Sequence, residues 1–402
     1  MLLYNIIQVV LLILLSLASL YIFIFSVAGL FYRQKTYSDN GNMKSTAVLI
    51  PGYKEDEVIV EVAQMALAQE YSENLFDVVI IADSFKDETL STLRTLPIKL
   101  IEVSFEKSTK SKALNKAMAS LTRDYEIAVV LDADNVMAPD FLQKINAAFK
   151  DDFIAVQGHR TAKNINNSWA ILDAISEEIN NNIFRKGHRV LGLSSAIIGS
   201  GMAFSYPYFK SLMSTVTAVG GFDKEIELKM LKEGRKILYL DDALVYDEKI
   251  QKAEVFGNQR RRWLSAQLNY FRKDFFDALR DLILKRNIDY FDKAIQFIQP
   301  PRILLLGAII FLSTGFLIAN YLLETQVLYS TLWIILAITC IFSFIFSVPR
   351  AFYSVKTLSA LASLPKGMFT MFLSLLKIKG ANKTFIHTRH TSKTEGKSNS
   401  KK

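Results

Sequence analysis

The chain has 402 residues, a formal net charge of +9 and a hydrophobic content of 50%. This content, with a mean hydropathy of +0.20, excludes an ordinary soluble enzyme, so part of the chain is expected to lie in lipid. The basic residues concentrate beside apolar stretches and at the C-terminus, which favours an anionic membrane surface over nucleic acid as a partner. The single cysteine, Cys340, excludes an internal disulfide and a cysteine-built metal site.

The N-terminal segment is a predicted membrane anchor. Residues 1–32 carry no charged side chain, and the apolar stretch of residues 6–31 exceeds the roughly 20 residues that cross a bilayer. A cleaved signal peptide would begin with basic residues and have a shorter core, whereas here Arg33 and Lys35 follow the apolar stretch. We therefore predict an uncleaved anchor over residues 1–36, with the following domain in the cytoplasm.

Short apolar runs then alternate with helix-like segments. We predict strands over residues 46–50, 76–82, 98–103, 127–131 and 153–157, and helices over 57–69, 86–95, 110–121 and 140–149. This alternation predicts an α/β fold with a mostly parallel sheet. In such a sheet, ligands bind at the carboxyl ends of the strands.

The loops after these strands contain chemically informative residues. Asp132 and Asp134 follow a buried strand, and their hard oxygen ligands suit Mg²⁺ or Mn²⁺ that also holds a diphosphate. An acidic turn that caps the next helix explains the same pattern. Lys110 and Lys112 open a helix, where the helix dipole and both cations favour phosphate, although solvated helix-start residues are the alternative.

Six motifs in this order resemble those of the membrane-bound family 2 glycosyltransferases, which include cellulose, chitin and hyaluronan synthases and bacterial exopolysaccharide synthases. The motifs are PGYKE at 51–55, Asp83, KSKALN at 110–115, DAD at 132–134, GSGM at 199–202 and QRRRW at 259–263. The resemblance implies a GT-A-type nucleotide-sugar-binding domain over residues 45–263, flanked by transmembrane helices. It also implies an inverting, metal-dependent transferase.

The resemblance assigns roles to individual residues. It implies that Asp83 contacts a uridine-type nucleotide and that Asp132 and Asp134 hold the metal ion and the diphosphate. The donor-binding group further includes Pro51, Tyr53, Glu55, Lys110 and Lys112. The acceptor and diphosphate group comprises Gly199, Ser200, Gly201, Gln259, Arg262 and Trp263. A plain turn at 199–201 and a juxtamembrane basic cluster at 260–262 are the alternatives that the residues themselves allow.

The catalytic base of the family lies in a Glu-Asp pair that opens a helix. Counting back from Gly234 along the family pattern puts Asp223 at the position of the base and Phe222 at that of the preceding Glu. Glu225 is the rival base, and helix capping by Asp223 is the alternative role. Two further departures are Ala82, where the family often has a first Asp, and Lys112, which replaces a frequent glycine.

The C-terminal third is predicted to associate with the membrane. Residues 264–299 form an amphipathic pattern typical of interface helices, or of an ordinary helix packed on the domain core. Residues 300–349 contain two uncharged stretches, each long enough to span, and 350–380 form an interfacial or re-entrant segment. Residues 381–402 form a basic cytoplasmic tail.

The resemblance and these patterns together predict a multi-pass enzyme of the bacterial cytoplasmic membrane. Its donor would be a UDP-hexose or UDP-N-acetylhexosamine, and its acceptor a hydroxyl of a glycan or of a lipid-linked acceptor in polysaccharide biosynthesis. Processive synthesis with export would require a homo-oligomer or an export partner, because the predicted spans are few. The alternatives are single-sugar transfer to a membrane lipid and a non-catalytic membrane regulator that binds a nucleotide or glycan.

Overall fold

The computed structural model describes residues 1–35, 37, 42–149, 153–218, 220–251, 253–325 and 327–376. The predicted tail of residues 381–402 lies outside the described residues. By their contacts these residues form two units, and each is described by itself. The sheet unit comprises Gln34–Asn166 and Ala196–Ile250, and the helical unit comprises Met1–Arg33, Asn167–Ser195 and residues 251–376.

The sheet unit contains one eight-stranded sheet. The strands are β1 (Thr46–Tyr53), β2 (Phe76–Asp83), β3 (Lys99–Val103), β4 (Ile127–Val130), β5 (Val136–Met137), β6 (Ala155–Ala162), β7 (Met202–Ser205) and β8 (Leu238–Asp247). Their order is β3-β2-β1-β4-β7-β6-β8-β5. Neighbours β3, β2, β1 and β4 are parallel, as are β6 and β8, whereas β7 is antiparallel to both its neighbours and β5 to β8. The mostly parallel α/β fold is confirmed.

The described residues include fifteen α-helices. They are α1 (Leu2–Leu30), α2 (Ile59–Leu67), α3 (Asp87–Leu93), α4 (Lys110–Ser120), α5 (Phe141–Ala148), α6 (Ser168–Asn181), α7 (His188–Val190), α8 (Tyr206–Ser214), α9 (Phe222–Lys232), α10 (Ala253–Lys285), α11 (Ile288–Ile298), α12 (Arg302–Leu322), α13 (Val327–Ser347), α14 (Val355–Leu361) and α15 (Leu364–Leu376). A π-helix, Asn182–Gly187, joins α6 to α7, and short 3₁₀ helices cover Glu73–Leu75 and Arg350–Phe352.

Hydrophobic cores cover both faces of the sheet. In β1, Val48 and Ile50 point into one core with α2 and α5, whereas Ala47 and Leu49 point into the other with α4, α8 and α9. Burial on both faces explains why the parallel strands appear in the sequence as continuous apolar runs. The first four predicted strands and the four predicted helices over residues 57–149 are confirmed within a few residues at each end.

The last predicted strand extends further than the sequence indicated. The prediction covered residues 153–157, whereas β6 spans Ala155–Ala162. The pairing of β6 with β8 shifts register between Gly158 and His159, which is a β-bulge. A bulge lets a strand continue past a glycine and re-aims the side chains that follow it.

The helical unit contains three helices that are long and apolar enough to cross a membrane, namely α1, α12 and α13. Helices α14 and α15 meet at an angle of 45° and would make a fourth span if counted as one bent segment. The segment Asn167–Ser195 belongs by its contacts to this unit, although it lies inside the predicted domain of residues 45–263. Helix α10 begins before the QRRRW motif, and Arg286, with φ of 55°, separates it from α11.

Buried polar side chains connect the apolar helices of this unit. Trp333 Nε1 on α13 and Asn320 Nδ2 on α12 both donate to Gln8 Oε1 on α1, at 3.0 and 2.9 Å. Near the other end of α1, Ser26 Oγ donates to Ser343 O at 2.6 Å. Hydrogen bonds of this kind fix the register of helices that have no hydrophobic driving force between them in lipid.

Helix α1 packs very closely against the π-helix at two glycines. A Cβ added at Gly187 would overlap the backbone carbonyl of Phe25, and one added at Gly29 would overlap Asn182. Asn182 Nδ2 also donates to Ser26 O at 3.0 Å. The backbones of α1 and the π-helix therefore touch only because these positions have no side chain.

We expect Gly187→Ala to destabilise the purified protein, because the added methyl group must push α1 away from the π-helix. Overpacking of this kind costs about 1–3 kcal/mol. The measurement is the unfolding temperature in detergent. Gly315→Ala is the matched control, since a Cβ there meets nothing within 4 Å. Equal unfolding temperatures for the two variants would contradict the close packing of α1.

Candidate active site

Three neighbouring parallel strands of the sheet unit end at the same edge, and predicted site residues follow each of them. Strand β1 ends at Tyr53, β2 ends at Asp83, and the acidic turn of residues 132–134 follows β4. Tyr53 is the register partner of Asp83, and Leu49 is that of Val130. The sheet thus brings the predicted nucleotide residues and the predicted metal residues to one edge.

Gly52 permits a close approach between these strand ends. A Cβ at this position would lie 2.6 Å from the ring of Phe85 and 3.6 Å from Cβ of Ala133, in the middle of the acidic turn. A larger residue at 52 would separate the end of β1 from both neighbouring loops. Pro51, the residue before it, lies in β1 opposite Ile81.

Asp83 lies almost fully buried at the end of β2, with 3% of its surface exposed. Ser84 Oγ donates to Asp83 Oδ1 at 3.0 Å, and Lys54 N donates to Asp83 O at 3.1 Å. Lys54 and Ser84 both adopt left-handed backbone conformations, with φ of 56° and 60°. Non-glycine residues in this conformation cluster at functional loops, where the surrounding structure compensates for their strain.

Tyr53 and Glu55 lie at the same strand end. The ring centroid of Tyr53 is 5.2 Å from Lys54 Nζ. Glu55 is buried, and its carbonyl oxygen accepts from Ile59 N at 3.1 Å at the start of α2. Glu55 is therefore held in place by the helix that follows it, and its nucleotide role stays a prediction.

Lys110 is the first residue of α4 and joins three parts of the site. Its Nζ lies 2.5 Å from Asp132 Oδ1 and 2.7 Å from Gly199 O, and 5.3 Å from the ring centroid of Phe222. The side chain of Thr109 caps α4 by accepting from the backbone of its first turn. One ammonium group thus connects the acidic turn, the loop at 199 and the start of α9.

Lys112 behaves differently from Lys110. Its Nζ donates to Lys107 O at 2.9 Å and lies 6.0 Å from the ring centroid of Phe105, whereas its backbone N–H donates to Thr109 Oγ1. The ammonium of Lys112 therefore interacts with the loop before α4, and its predicted phosphate contact stays a prediction.

The acidic turn is held by hydrogen bonds from several segments. Asp134, which is 3% exposed, accepts at Oδ1 from Asn135 Nδ2 and at Oδ2 from Glu248 N, both at 3.2 Å. Asp132 N donates to Ser200 Oγ at 3.0 Å. The Ser200 hydroxyl in turn donates to Asn135 Oδ1. The Asp134 carboxylate and the backbone of Asp132 are therefore both held by neighbouring segments.

A buried ionic group that the sequence did not reveal lies behind the acidic turn. Asp247 Oδ2 accepts from Lys249 Nζ at 2.8 Å, and Asp247 Oδ1 accepts from Asn135 Nδ2 at 3.0 Å. Arg160 Nη1 lies 3.5 Å from Asp247 Oδ1 and 3.8 Å from Asp132 Oδ2. Asp247 ends β8 in the same way as Asp83 ends β2, so a strand prediction over residues 238–247 would have found it.

Burial alone would raise the pKa of Asp247, because a buried carboxylate loses its hydration. The charges of Arg160 and Lys249, with hydrogen bonds from Lys249 and Asn135, outweigh this effect and hold the pKa well below its ordinary value. Asp247 is therefore ionised at neutral pH and remains a fixed negative charge beneath the acidic turn.

The loop of residues 199–201 needs its two glycines. Gly199 and Gly201 have φ of 83° and 61°, in the region that L side chains rarely adopt. Gln157, fully buried on β6, donates from Nε2 to Ser200 O and Gly201 O at 3.0 and 3.1 Å and accepts at Oε1 from Ile198 N. Gln157 thus fixes the loop that carries Gly199 and Ser200, although it is not among the site residues predicted from the sequence.

The two candidate bases have different surroundings. Asp223 lies in the first turn of α9, next to Gly199, where an added Cβ would lie 3.6 Å from Asp223 Cβ. Glu225 is 5% exposed, accepts from Thr217 N and Ala218 N at 3.4 and 3.0 Å, and pairs with Lys229 at 2.8 Å. Asp223 thus lies beside the loop that binds Lys110, whereas the contacts of Glu225 hold the turn before α9.

Gln259, Arg262 and Trp263 lie on α10 in the helical unit. The ring centroid of Trp263 is 4.5 Å from the guanidinium of Arg260, which also pairs with Asp173 at 2.9 Å. Burial lowers the pKa of Arg262, because its charged form is poorly hydrated. This cluster is a partly buried, basic and aromatic segment of one helix.

The acidic turn provides hard oxygen ligands for a divalent cation. Among the described residues, no three His, Cys, Asp or Glu side chains converge to hold a metal ion by themselves. Magnesium and manganese sites of nucleotide enzymes commonly use one or two carboxylates together with substrate phosphates and water. Asp132 and Asp134 fit such a site, in which the donor completes the ligand set.

Comparisons with known proteins agree with this architecture. A curated relative is the beta-monoglucosyldiacylglycerol synthase of Trichormus variabilis, 26% identical over 277 residues, or 66% of this chain and 57% of the relative. The chain thus covers less than two thirds of that relative's length. The mannosyltransferase PcManGT from Pyrobaculum calidifontis, in complex with GDP-Man and Mn²⁺, has a TM-score of 0.52 at 18% identity. The match covers 84% of this chain and 98% of PcManGT, and it shows a shared fold.

Residues 44–266, more than half of the chain, match the family described as glycosyltransferase like family 2. The matched region contains the strand-end residues Tyr53, Asp83 and Asp132 and the candidate base Asp223. The chain therefore belongs to this glycosyltransferase family and carries its GT-A-like α/β domain.

Proposed function

We propose that the chain is a metal-dependent, inverting glycosyltransferase that moves a single sugar from a nucleotide-sugar donor to a hydroxyl group of a membrane lipid. The main support for this proposal is the set of contacts that Lys110 makes. Its Nζ binds Asp132 and the carbonyl of Gly199, and Gly199 lies against Asp223. An inverting transferase needs positive charge on the leaving diphosphate and a base on the attacking hydroxyl, and these contacts connect candidates for both.

The proposed donor is a UDP-hexose or a UDP-N-acetylhexosamine. Asp83 would bind the nucleoside together with Pro51, Tyr53 and Glu55, since these residues share one edge of the sheet. A Mg²⁺ or Mn²⁺ ion would be held by Asp132 and Asp134 and would neutralise charge on the diphosphate. Support for the metal comes from the carboxylate ligands and from the Mn²⁺ in the structure of PcManGT.

In the proposed reaction Asp223 accepts the proton of the acceptor hydroxyl as its oxygen attacks the anomeric carbon of the donor. The bond between this carbon and the diphosphate oxygen breaks, and its electron pair leaves with the diphosphate. Lys110 supplies positive charge to the leaving group from the N-terminus of α4, where the helix dipole acts in the same direction. Attack opposite the leaving group inverts the configuration of the sugar.

The acceptor is proposed to be a lipid for two reasons. The described residues contain three candidate spans, or four with the bent pair, which is few for a chain that must also enclose an export channel. The name of the relative from Trichormus variabilis describes a glucosyl transfer to diacylglycerol. Gln259, Arg262 and Trp263 are assigned to the acceptor and diphosphate by family resemblance, and they lie on a helix of the unit that contains these spans.

We expect Asp223→Asn to lower kcat by about 10²–10⁴, because a general base contributes this much, while donor affinity and unfolding temperature stay unchanged. Glu225→Gln should instead lower the unfolding temperature, since it weakens the contacts with residues 217 and 218. The measurement is nucleoside diphosphate release by purified protein, with differential scanning fluorimetry of both variants. The reverse pattern would make Glu225 the base.

We expect Asp134→Ala to abolish both sugar transfer and Mn²⁺-dependent binding of nucleoside diphosphate. The reason is that the acidic turn would lose one of its two oxygen donors. Isothermal titration calorimetry with UDP and with GDP, each with and without Mn²⁺, tests this expectation. Asp124→Ala, at an exposed carboxylate, is the control. Unchanged Mn²⁺-dependent binding in Asp134→Ala would contradict the assignment of the metal site.

We expect proteoliposomes that contain diacylglycerol and a panel of UDP- and GDP-sugars to yield a lipid that carries one sugar. Mass spectrometry of the extracted lipids gives the number of sugars per acceptor. A ladder of longer products would support polysaccharide synthesis instead. Nucleotide binding without transfer to any lipid or glycan acceptor would support the regulator hypothesis.

A further inference from the structure

Arg160 lies between the accessible carboxylate of Asp132 and the largely buried carboxylate of Asp247. Its Nη1 lies 3.8 Å from Asp132 Oδ2 and 3.5 Å from Asp247 Oδ1. The Asp132 side chain is 38% exposed, whereas the side chains of Arg160 and Asp247 are 11% and 13% exposed. The guanidinium therefore reaches from the interior of the sheet unit to the same carboxylate that binds Lys110.

Arg160 shares the Asp247 carboxylate with a second cation. Lys249, which is 1% exposed, already pairs with Asp247 Oδ2 at 2.8 Å, and Asn135 Nδ2 donates to Asp247 Oδ1 at 3.0 Å. Two cations therefore flank the Asp247 carboxylate. A buried cation without a carboxylate partner would be costly. The contact with Asp247 therefore keeps Arg160 charged and in place.

The backbone contributes to the same placement. The bulge between Gly158 and His159 lies directly before Arg160, and it changes the register of β6 against β8. Beyond the bulge, Arg160 pairs in register with Val245, two residues before Asp247. The bulge and the end of β8 thus direct Arg160 to the carboxyl edge of the sheet, where the site lies.

We propose that Arg160 binds a phosphoryl group at the Asp132 side of the active site, and that Asp247, Lys249 and Asn135 are positioning residues for it. The proposal rests on the proposed function. The phosphoryl group belongs either to the diphosphate of the donor or to a phosphorylated lipid acceptor, because both present the same oxygens. The planar guanidinium matches phosphate oxygens in a two-pronged geometry.

Electrostatics favour this role over a permanent pair with Asp132. A divalent cation on Asp132 would repel both Lys110 and Arg160, which lie on different oxygens of the same carboxylate. Phosphate oxygens that arrive with the cation would supply new acceptors for both side chains. Arg160 would then exchange a weak contact with Asp132 for hydrogen bonds to phosphate and retain its contact with Asp247.

The test uses the full chain in detergent and four variants: Arg160→Gln, Arg160→Lys, Asp247→Asn and the control Arg123→Gln. Arg123 also pairs with a carboxylate of the sheet unit, Asp77 at 3.0 Å, but Asp77 lies near the start of β2, at the opposite edge. The probes are UDP, UMP, GDP and GMP, titrated by calorimetry in the presence of Mn²⁺. Unfolding temperatures identify variants that fail to fold.

If the donor diphosphate is the ligand, Arg160→Gln should weaken nucleoside diphosphate binding about tenfold or more, the effect of losing a charge-assisted hydrogen bond. Nucleoside monophosphate binding should change by less than twofold, and Arg160→Lys should recover part of the loss. Asp247→Asn should weaken diphosphate binding in the same direction, because it releases Arg160. Arg123→Gln should bind all four probes like the wild type.

If a phosphorylated acceptor is the ligand, Arg160→Gln should bind the four nucleotides normally. Relative to the wild type, its KM should rise at least tenfold more for phosphatidylglycerol, whose headgroup carries free hydroxyls beside its phosphate, than for diacylglycerol. Normal nucleotide binding and an unchanged ratio of these KM values would overturn the proposal and leave Arg160 as a structural counter-ion. A wild type that binds neither UDP nor GDP would overturn the proposed function as well, so the two failures are distinguishable.

Discussion

The ammonium of Lys110 is the interaction on which the arrangement of the site depends. It contacts a carboxylate of the acidic turn, the carbonyl of Gly199 and the ring of Phe222, which come from three separate segments of the sheet unit. Without this cation, the Asp132 carboxylate and the Gly199 carbonyl would present negative charge to each other across the site. The position of Lys110 at a capped helix N-terminus means that its charge and the helix dipole act on the same volume.

A further set of buried side chains holds the acidic turn and the loop of residues 199–201 in place. Gln157 fixes the loop of residues 199–201, Ser200 binds Asp132 N, and Asn135 connects Asp134 with Asp247. These partners are buried, so the orientation of the acidic turn is set before any ligand binds. Preorganised groups of this kind stabilise developing charge without having to reorient during the reaction.

The sequence predicted those features that depend on local pattern. Apolar runs identified the central strands, and their polar ends identified Asp83 and Asp132, because a parallel sheet buried on both faces leaves few other polar positions. Arg160 and Asp247 escaped prediction for a different reason. A glycine followed by a bulge hid the second half of β6, and Asp241 and Asp242 interrupt the apolar pattern of β8. The pairing of Arg160 with Asp247 is a long-range contact, which no local sequence pattern contains.

The stereochemistry of the product tests the central claim most directly. Proton NMR of the glycolipid formed from a donor with an α-linked sugar reports the anomeric configuration of the new bond. A single displacement with Asp223 as the base and the diphosphate as the leaving group predicts a β-linked product. An α-linked product would contradict this account, and so would the absence of transfer from every UDP- and GDP-sugar tested.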